Sequence, residues 1–448
     1  MPPATATLPS LAPPLPPVRA NAVINKVDGS DKAFHDWYRF VLSFPPHLVR
    51  DYVARFDLAP GHTLLDPFSG TGTTVLEAKL NGIDAIGLEA NPMAHFAGVT
   101  KTAWGFGPQA VRRAADKVMD AALRELKPLK LAEEILNPLK AVPPGLRLRG
   151  LPADAEALLL KNSISPVPLH KALVLRDAIE AQAPVKLRGL LRLALARELV
   201  SSISNLHFGP EVGVRGTKLD TPAVAAWRGR VEIMANDLER APDLPAASAR
   251  VALADARDMA QHLAPRSIDA VFTSPPYPNE KDYTRTTRLE SVLLGFVQDK
   301  AQMRALKKTL LRSNTRGVYK GDEDDAFSAR FSSVQKIAVE IERRRVAMNK
   351  TSGFERMYAR VTKLYFGGMA RHLADLRPFL KPGAKLGYVV GDQASYLQVM
   401  IRTGQLLAEI AESLGYRVDS IDLFRTRLAT ATKEQIREEV LVLTWPGQ

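Results

Sequence analysis

Ser274-Pro275-Pro276-Tyr277 is the stretch of this sequence best suited to do chemistry. It follows Thr273 and the short apolar run Ile268-Asp269-Ala270-Val271-Phe272, so it sits where a buried strand stops. Proline donates nothing to a sheet and holds the residue before it in extended geometry. The backbone at such a strand end is stiff, with its carbonyls aimed in fixed directions. The Ser274 hydroxyl and the Pro275 carbonyl then offer two acceptors to the two hydrogens of a planar amine, and Tyr277 offers a face to stack on. The same string also serves as a plain rigid turn, so its surroundings decide between the two readings.

Three other strand ends carry matching signals. His62 to Leu65 reads as a buried strand running into Asp66-Pro67-Phe68-Ser69-Gly70-Thr71-Gly72-Thr73-Thr74, with helical character from Val75 to Leu80. Strand, glycine turn and helix make the first unit of an open α/β sheet, whose ligands lie at the carboxyl ends of the strands. Gly70 and Gly72 let the backbone approach a ligand closely. Thr73-Thr74 occupies the place of the third glycine of a dinucleotide fingerprint, which disfavours a pyrophosphate cofactor. The next strand, Asp84 to Leu88, ends in Glu89 and is followed by Asn91-Pro92. An acid at that tip, about 20 residues past the glycines, is placed to accept the hydroxyls of a ribose. A later strand, Arg250 to Ala254, ends in Asp255-Ala256, where the acid is placed to accept from an exocyclic amine.

Composition narrows the classes. The 448 residues are 46% hydrophobic, enough for one large domain with insertions or for two domains. The net charge of +13 favours a polyanionic partner. There is no cysteine, which removes disulfides, thiolate metal sites and a cysteine nucleophile. The histidines are scattered without metal-ligand spacing, so no metal is assigned. The first 20 residues lack a basic start followed by an apolar run, so no secretory signal is expected. The most apolar stretch, Leu187 to Val200, is broken by Arg188, Arg192, Arg197 and Glu198 and reads as a packed amphipathic helix.

Taken together, the motifs resemble those of the S-adenosylmethionine-dependent amino-methyltransferases of DNA, which methylate the exocyclic amine of cytosine or adenine. Asp66 to Thr74 is similar to the family's cofactor loop and Thr273 to Tyr277 to its catalytic loop. Phe44-Pro45-Pro46-His47-Leu48-Val49 resembles the upstream segment that closes over the cofactor, and Leu441-Val442-Leu443 the last, antiparallel strand. The resemblance implies a Rossmann-like α/β methyltransferase fold with a mostly parallel seven-stranded sheet, plus a helical insertion. It implies cofactor contacts at Phe44, Pro45, Asp66, Pro67, Phe68, Gly70, Gly72, Thr73, Thr74, Glu89, Asn91, Asp255 and Ala256, and catalytic roles for Ser274, Pro275, Pro276 and Tyr277. It further implies S-adenosyl-L-methionine as cofactor, double-stranded DNA as partner and a cytoplasmic, nucleoid-associated setting, and it leaves room for a cognate restriction endonuclease. Serine at 274 is the commonest form in the cytosine-N4 enzymes, whereas aspartate is commoner for adenine-N6. Adenine-N6 methylation is the alternative, followed by an RNA base methyltransferase or a non-catalytic DNA-binding protein.

The elements that must position these loops divide the chain as follows. Residues 1–20 read as a disordered proline-rich arm, and order begins near the aromatics Phe34, Trp37, Tyr38, Phe40 and Phe44. The core is expected in 21–106, 248–296 and 354–448. A mainly helical insertion fills 107–247, with helices over Gln109–Leu126, Ala153–Leu160, Pro168–Ala181 and Leu187–Ile203, and is the expected target reader. A basic insertion fills 297–353. Asp282, Tyr283 and Arg285 beyond the catalytic loop, and the run Arg343-Arg344-Arg345, are the candidates for DNA contact; a solvated helix face explains the run equally.

Overall fold

The computed structural model describes residues 28–38, 43–132, 145–208, 212–279, 281–428 and 435–447. The proline-rich arm of 1–20 and Phe40 lie outside the described residues. A seven-stranded sheet is built from β1 (Thr63–Asp66), β2 (Asp84–Glu89), β3 (Ala249–Leu253), β4 (Ile268–Thr273), β5 (Leu380–Gly391), β6 (Arg417–Leu428) and β7 (Gln435–Thr444). Their order is β3-β2-β1-β4-β5-β7-β6. The first five strands run parallel, and β7 lies antiparallel between β5 and β6. The expected mostly parallel seven-stranded sheet is therefore present, with Leu441 to Leu443 in its antiparallel strand.

Parallel strands covered on both faces need nearly continuous apolar sequence, and Leu64, Leu65, Ala270, Val271 and Phe272 are buried to 1% or less. On one face lie α1 (Pro46–Arg55) and α2 (Thr73–Leu80), with Leu48, Val49 and Tyr52 packed on Leu64, Val75 and Phe272. Pro46 fills the first turn of α1, where a missing N–H costs nothing. The other face is covered by α9 (Tyr358–Leu376) and α10 (Thr403–Ser413), and α8 (Ser332–Ala347) packs outside α9.

The larger insertion supplies α4 (Pro108–Leu126), α5 (Pro166–Gln182), α6 (Val185–Glu198) and α7 (Ala223–Glu239). Their leucines, valines and alanines share one core with Leu76 of α2 and with Met93 and Ala97 of α3 (Pro92–Thr102). Only Ala153–Glu156 of the expected 153–160 helix forms a helical turn, and α6 ends at Glu198 in a π-turn through Ile203. The leading aromatics dock on this bundle: the Phe34 amide and the Trp37 indole both donate to Asp237 of α7, at 3.0 and 2.8 Å. Among the described residues no helix is long and apolar enough to cross a membrane.

Candidate active site

Strands β3, β2, β1 and β4 are neighbours in that order, so their carboxyl ends open on one side of the sheet. A cavity of about 320 Å³ lies there. Its lining joins Phe44, Pro67, Phe68, Gly70, Thr73, Glu89, Asn91, Asp255, Ala256 and the whole of Ser274 to Tyr277, together with Asp282 and Tyr283. The sequence motifs, far apart in the chain, thus meet in one place. Pro45, Asp66, Gly72 and Thr74 are not among the residues that line it.

The glycine loop is shaped by Gly72, which holds a left-handed φ of 82° as the N-cap of α2. A Cβ at this position would also lie 3.1 Å from Gly98 Cα, so only glycine permits this approach of α2 and α3. Asp66, at the end of β1, accepts from the Phe68 amide at 3.1 Å and from the Thr273 hydroxyl at 2.6 Å. It ties the glycine loop to the strand that carries the proline loop. Burial pushes its carboxyl up to about 6, although the hydroxyls of Thr273 and Thr74 and the Phe68 amide work the other way. In the same loop the hydroxyls of Ser69 and Thr71 are buried on the cavity wall and have no hydrogen-bond partner among the described residues. Buried polar groups call for a partner, so this loop is fitted to receive a polar ligand.

Glu89 is held at the tip of β2 by the Gly70 amide (2.8 Å) and the Asn91 amide (2.7 Å), one on each oxygen. Burial raises its carboxyl to about 7 against those two bonds. Each oxygen keeps a further lone pair for a ligand hydroxyl. The Asn91 side chain is engaged elsewhere: it caps α3 at the Met93 amide (3.0 Å) and donates to Thr287 Oγ1 (3.1 Å). Asp255 is clamped by Arg257, whose Nε and terminal nitrogen reach it at 2.9 and 2.6 Å and whose other arm reaches Asp324. The Ala256 carbonyl accepts from His372 at 2.8 Å, and burial keeps that imidazole neutral by lowering it to about 4.

On the proline loop, the Ser274 hydroxyl donates to the Val389 carbonyl at 3.1 Å. Its only hydrogen is used there, so towards other groups Oγ acts as an acceptor, and the Tyr277 phenol already lies within its reach. The Tyr277 amide donates to the Tyr283 hydroxyl at 3.2 Å. Burial, helped by the nearby Glu438 carboxylate, raises the Tyr277 phenol, so it stays protonated. Asp282 caps the turn Tyr283–Thr286 and accepts from Lys307 Nζ at 2.7 Å. Burial works to raise that carboxyl, but Lys307 and Thr284 prevail and hold it below the usual range.

Several lining residues are absent from the sequence expectations. Lys307 and Leu310 to Asn314 of the smaller insertion roof the cavity, and none of the described residues of 108–247 lines it. The roof is fastened by the Asn279 amide on the Ser313 carbonyl (2.9 Å) and by Asn314 Nδ2 on the Lys281 carbonyl (3.0 Å). Phe424, Arg425 and Glu438 close the far side. Arg285 lies outside the lining, where it and the exposed Arg316 flank the charge of Arg288. Arg343, Arg344 and Arg345 are also outside it, each paired within its own helix: the first two with Glu340 (2.7 and 2.9 Å), the third with Glu342 (2.7 Å).

Comparison with known proteins gives a consistent picture. Residues 22–96 match the family model described as DNA methylase, of the N6/N4 methyltransferase type. The type II methyltransferase M.BsoBI of Geobacillus stearothermophilus is 25% identical over 436 residues, which cover 90% of this chain and 82% of that protein. The type II methyltransferase M.AvaI of Nostoc sp. is 29% identical over 176 residues, 37% of this chain and 34% of that one. The solved structure of TrmN from Thermus thermophilus aligns over 92% of this chain and 52% of its own, at 12% identity and a TM-score of 0.28, too loose a likeness to bear on function.

Proposed function

Proceeding from this kinship with the S-adenosylmethionine-dependent DNA amino-methyltransferases, we propose that the chain methylates the exocyclic N4 amine of cytosine in a specific duplex sequence, acting on a base flipped out of the helix. The observation that carries the reading is the single cavity in which the glycine loop and Glu89 meet Ser274 and Tyr277.

S-adenosylmethionine, the methyl donor of this family, supplies an electrophilic methyl group on a sulfonium. The structure fits it: the buried hydroxyls of Ser69 and Thr71 await polar partners, and Glu89 faces the cavity with acceptor capacity for a ribose. Glu89, Asp255, the glycine loop and Phe44 would hold the cofactor.

The chain's own part in transfer is positioning. An aromatic amine is a poor nucleophile, because its lone pair is delocalised into the ring. Ser274 Oγ, turned by its bond to Val389, and the Pro275 carbonyl accept the two amine hydrogens, which favours a localised lone pair. The same two acceptors oppose the positive charge that develops on nitrogen. The prolines fix them in advance, so little reorganisation is left for the reacting complex. Tyr277 gives the flipped base a surface to stack on. For target reading, the roof of Lys307 to Asn314 would stand nearest the base, with the larger insertion meeting the duplex further out; Arg288 donates to the Leu158 carbonyl of that insertion and shares Asp282 with Lys307 of the roof.

The test is transfer of a labelled methyl group to DNA and to RNA, followed by nucleoside analysis. N4-methylcytosine from DNA is expected. N6-methyladenine would transfer the reading to the adenine alternative, and label in RNA alone would overturn it.

A further inference from the structure

Strands β5, β7 and β6 lie on the opposite side of the catalytic loop from Glu89 and Asp255. Their ends place three residues in a row: Gly391 is paired with Glu438, and Glu438 with Arg425. Directly opposed residues in a sheet share a face. Gly391 has no side chain, and the Tyr277 ring fills the space above it; a Cβ there would meet that ring at 2.8 Å and the Glu438 side chain at 3.4 Å. The row is therefore tyrosine ring, carboxylate, guanidinium, and all three line the cavity with Ser274.

Arg425 Nε donates to Glu438 Oε2 at 2.6 Å. Glu438 is 7% exposed, and the bond fixes the plane of the guanidinium beside the catalytic loop. The two terminal nitrogens of Arg425 have no hydrogen-bond partner among the described residues, and the group packs 5.8 Å from the Phe424 ring. A register shift between Leu423 and Arg425 brings both Phe424 and Arg425 to the cavity.

The base offered to this row has its amine at Ser274. Next to the amine of cytosine come two acceptors in succession, N3 and O2. Next to the amine of adenine come one acceptor, N1, and then a carbon-bound hydrogen. A guanidinium presents parallel donors in a fixed fork, which matches the first edge and leaves a donor unpaired on the second. We propose that Arg425, oriented by Glu438, holds the N3/O2 edge of the flipped cytosine and thereby selects cytosine over adenine. The proposal rests on the cytosine reading given above.

The experiment compares wild type with Arg425→Met on a duplex carrying the site that wild type methylates, and on the same duplex with an abasic target position. Cofactor affinity is measured on each protein. Arg425→Met is expected to slow single-turnover transfer by about 10- to 100-fold, the worth of a bidentate base contact, and to weaken binding of the cytosine duplex but not of the abasic one. An ion pair that merely braces the fold would weaken both duplexes alike, and that result overturns the proposal, as does a wild-type rate. Should Arg425→Met lose cofactor binding, Arg425→Lys, which keeps the charge without the fork, carries the same comparison with the same deciding outcomes. N6-methyladenine from the wild type would sink the cytosine reading itself, whereas N4-methylcytosine with a fully active Arg425→Met sinks only the role of Arg425.

Discussion

Gly391 lies beneath the ring of Tyr277, close enough that a Cβ would stand 2.8 Å from Cε2 and 3.1 Å from Cδ2. The end of β5 is thus the seat of the proline-loop tyrosine, and a single missing side chain sets its height. Gly391→Ala is expected to displace the ring and to cost about 1–3 kcal/mol of stability, as overpacking does. Thermal unfolding reads the stability. Transfer should slow while cofactor affinity holds, since Glu89 lies across β4 from this seat. An unchanged rate would show that the ring position does not matter to transfer.

Glu89 is expected to make cofactor binding depend on pH. Its raised value of about 7 means that it takes up a proton as pH falls through neutrality. A protonated carboxyl loses acceptor capacity, so affinity should be full above about 8 and should weaken by about tenfold per pH unit well below the raised value. Glu89→Gln should flatten that profile and weaken binding at high pH by about 1.5–3 kcal/mol, the worth of bonds to a charged group. Calorimetry across this range decides; a sloping profile in the glutamine variant would remove Glu89 as the titrating group.

Phosphate contacts are expected at the mouth of the cavity, near Arg285 and Arg316, and not at the arginine triplet. Arg343 to Arg345 already face Glu340 and Glu342. Alanines at all three should leave the salt dependence of DNA binding unchanged. Arg316→Ala should flatten the slope of log affinity against log salt by about 0.9 if one phosphate contact is lost. The reverse pattern in a binding titration would return the triplet to the DNA.

The strand tips were legible because doubly covered parallel strands must be short apolar runs, and each run here stops at a polar residue, glycine or proline. That is why Asp66, Glu89, Asp255 and Ser274 stand out in the sequence itself. The helix Ala223–Glu239 is absent from the sequence expectations although Val224, Trp227, Val231, Met234 and Leu238 repeat at helical spacing and all are buried. Glu340 likewise precedes Arg343 and Arg344 by three and four residues, a spacing that already favours pairing within a helix. Arg425 and Glu438 were not legible at all. They meet through the register of two long strands, and nothing in either local sequence marks that register.

If the proline loop performs amine methylation, Ser274→Ala should disable it without touching the cofactor. The substitution removes one acceptor and leaves both prolines, the glycine loop and Glu89 in place. Single-turnover methyl transfer and cofactor affinity should be measured on the same folded protein. Transfer is expected to fall by about 10²-fold or more, as on losing one preorganised electrostatic partner, with cofactor affinity unchanged. Full single-turnover activity in Ser274→Ala would show that the proline loop does not act on the amine.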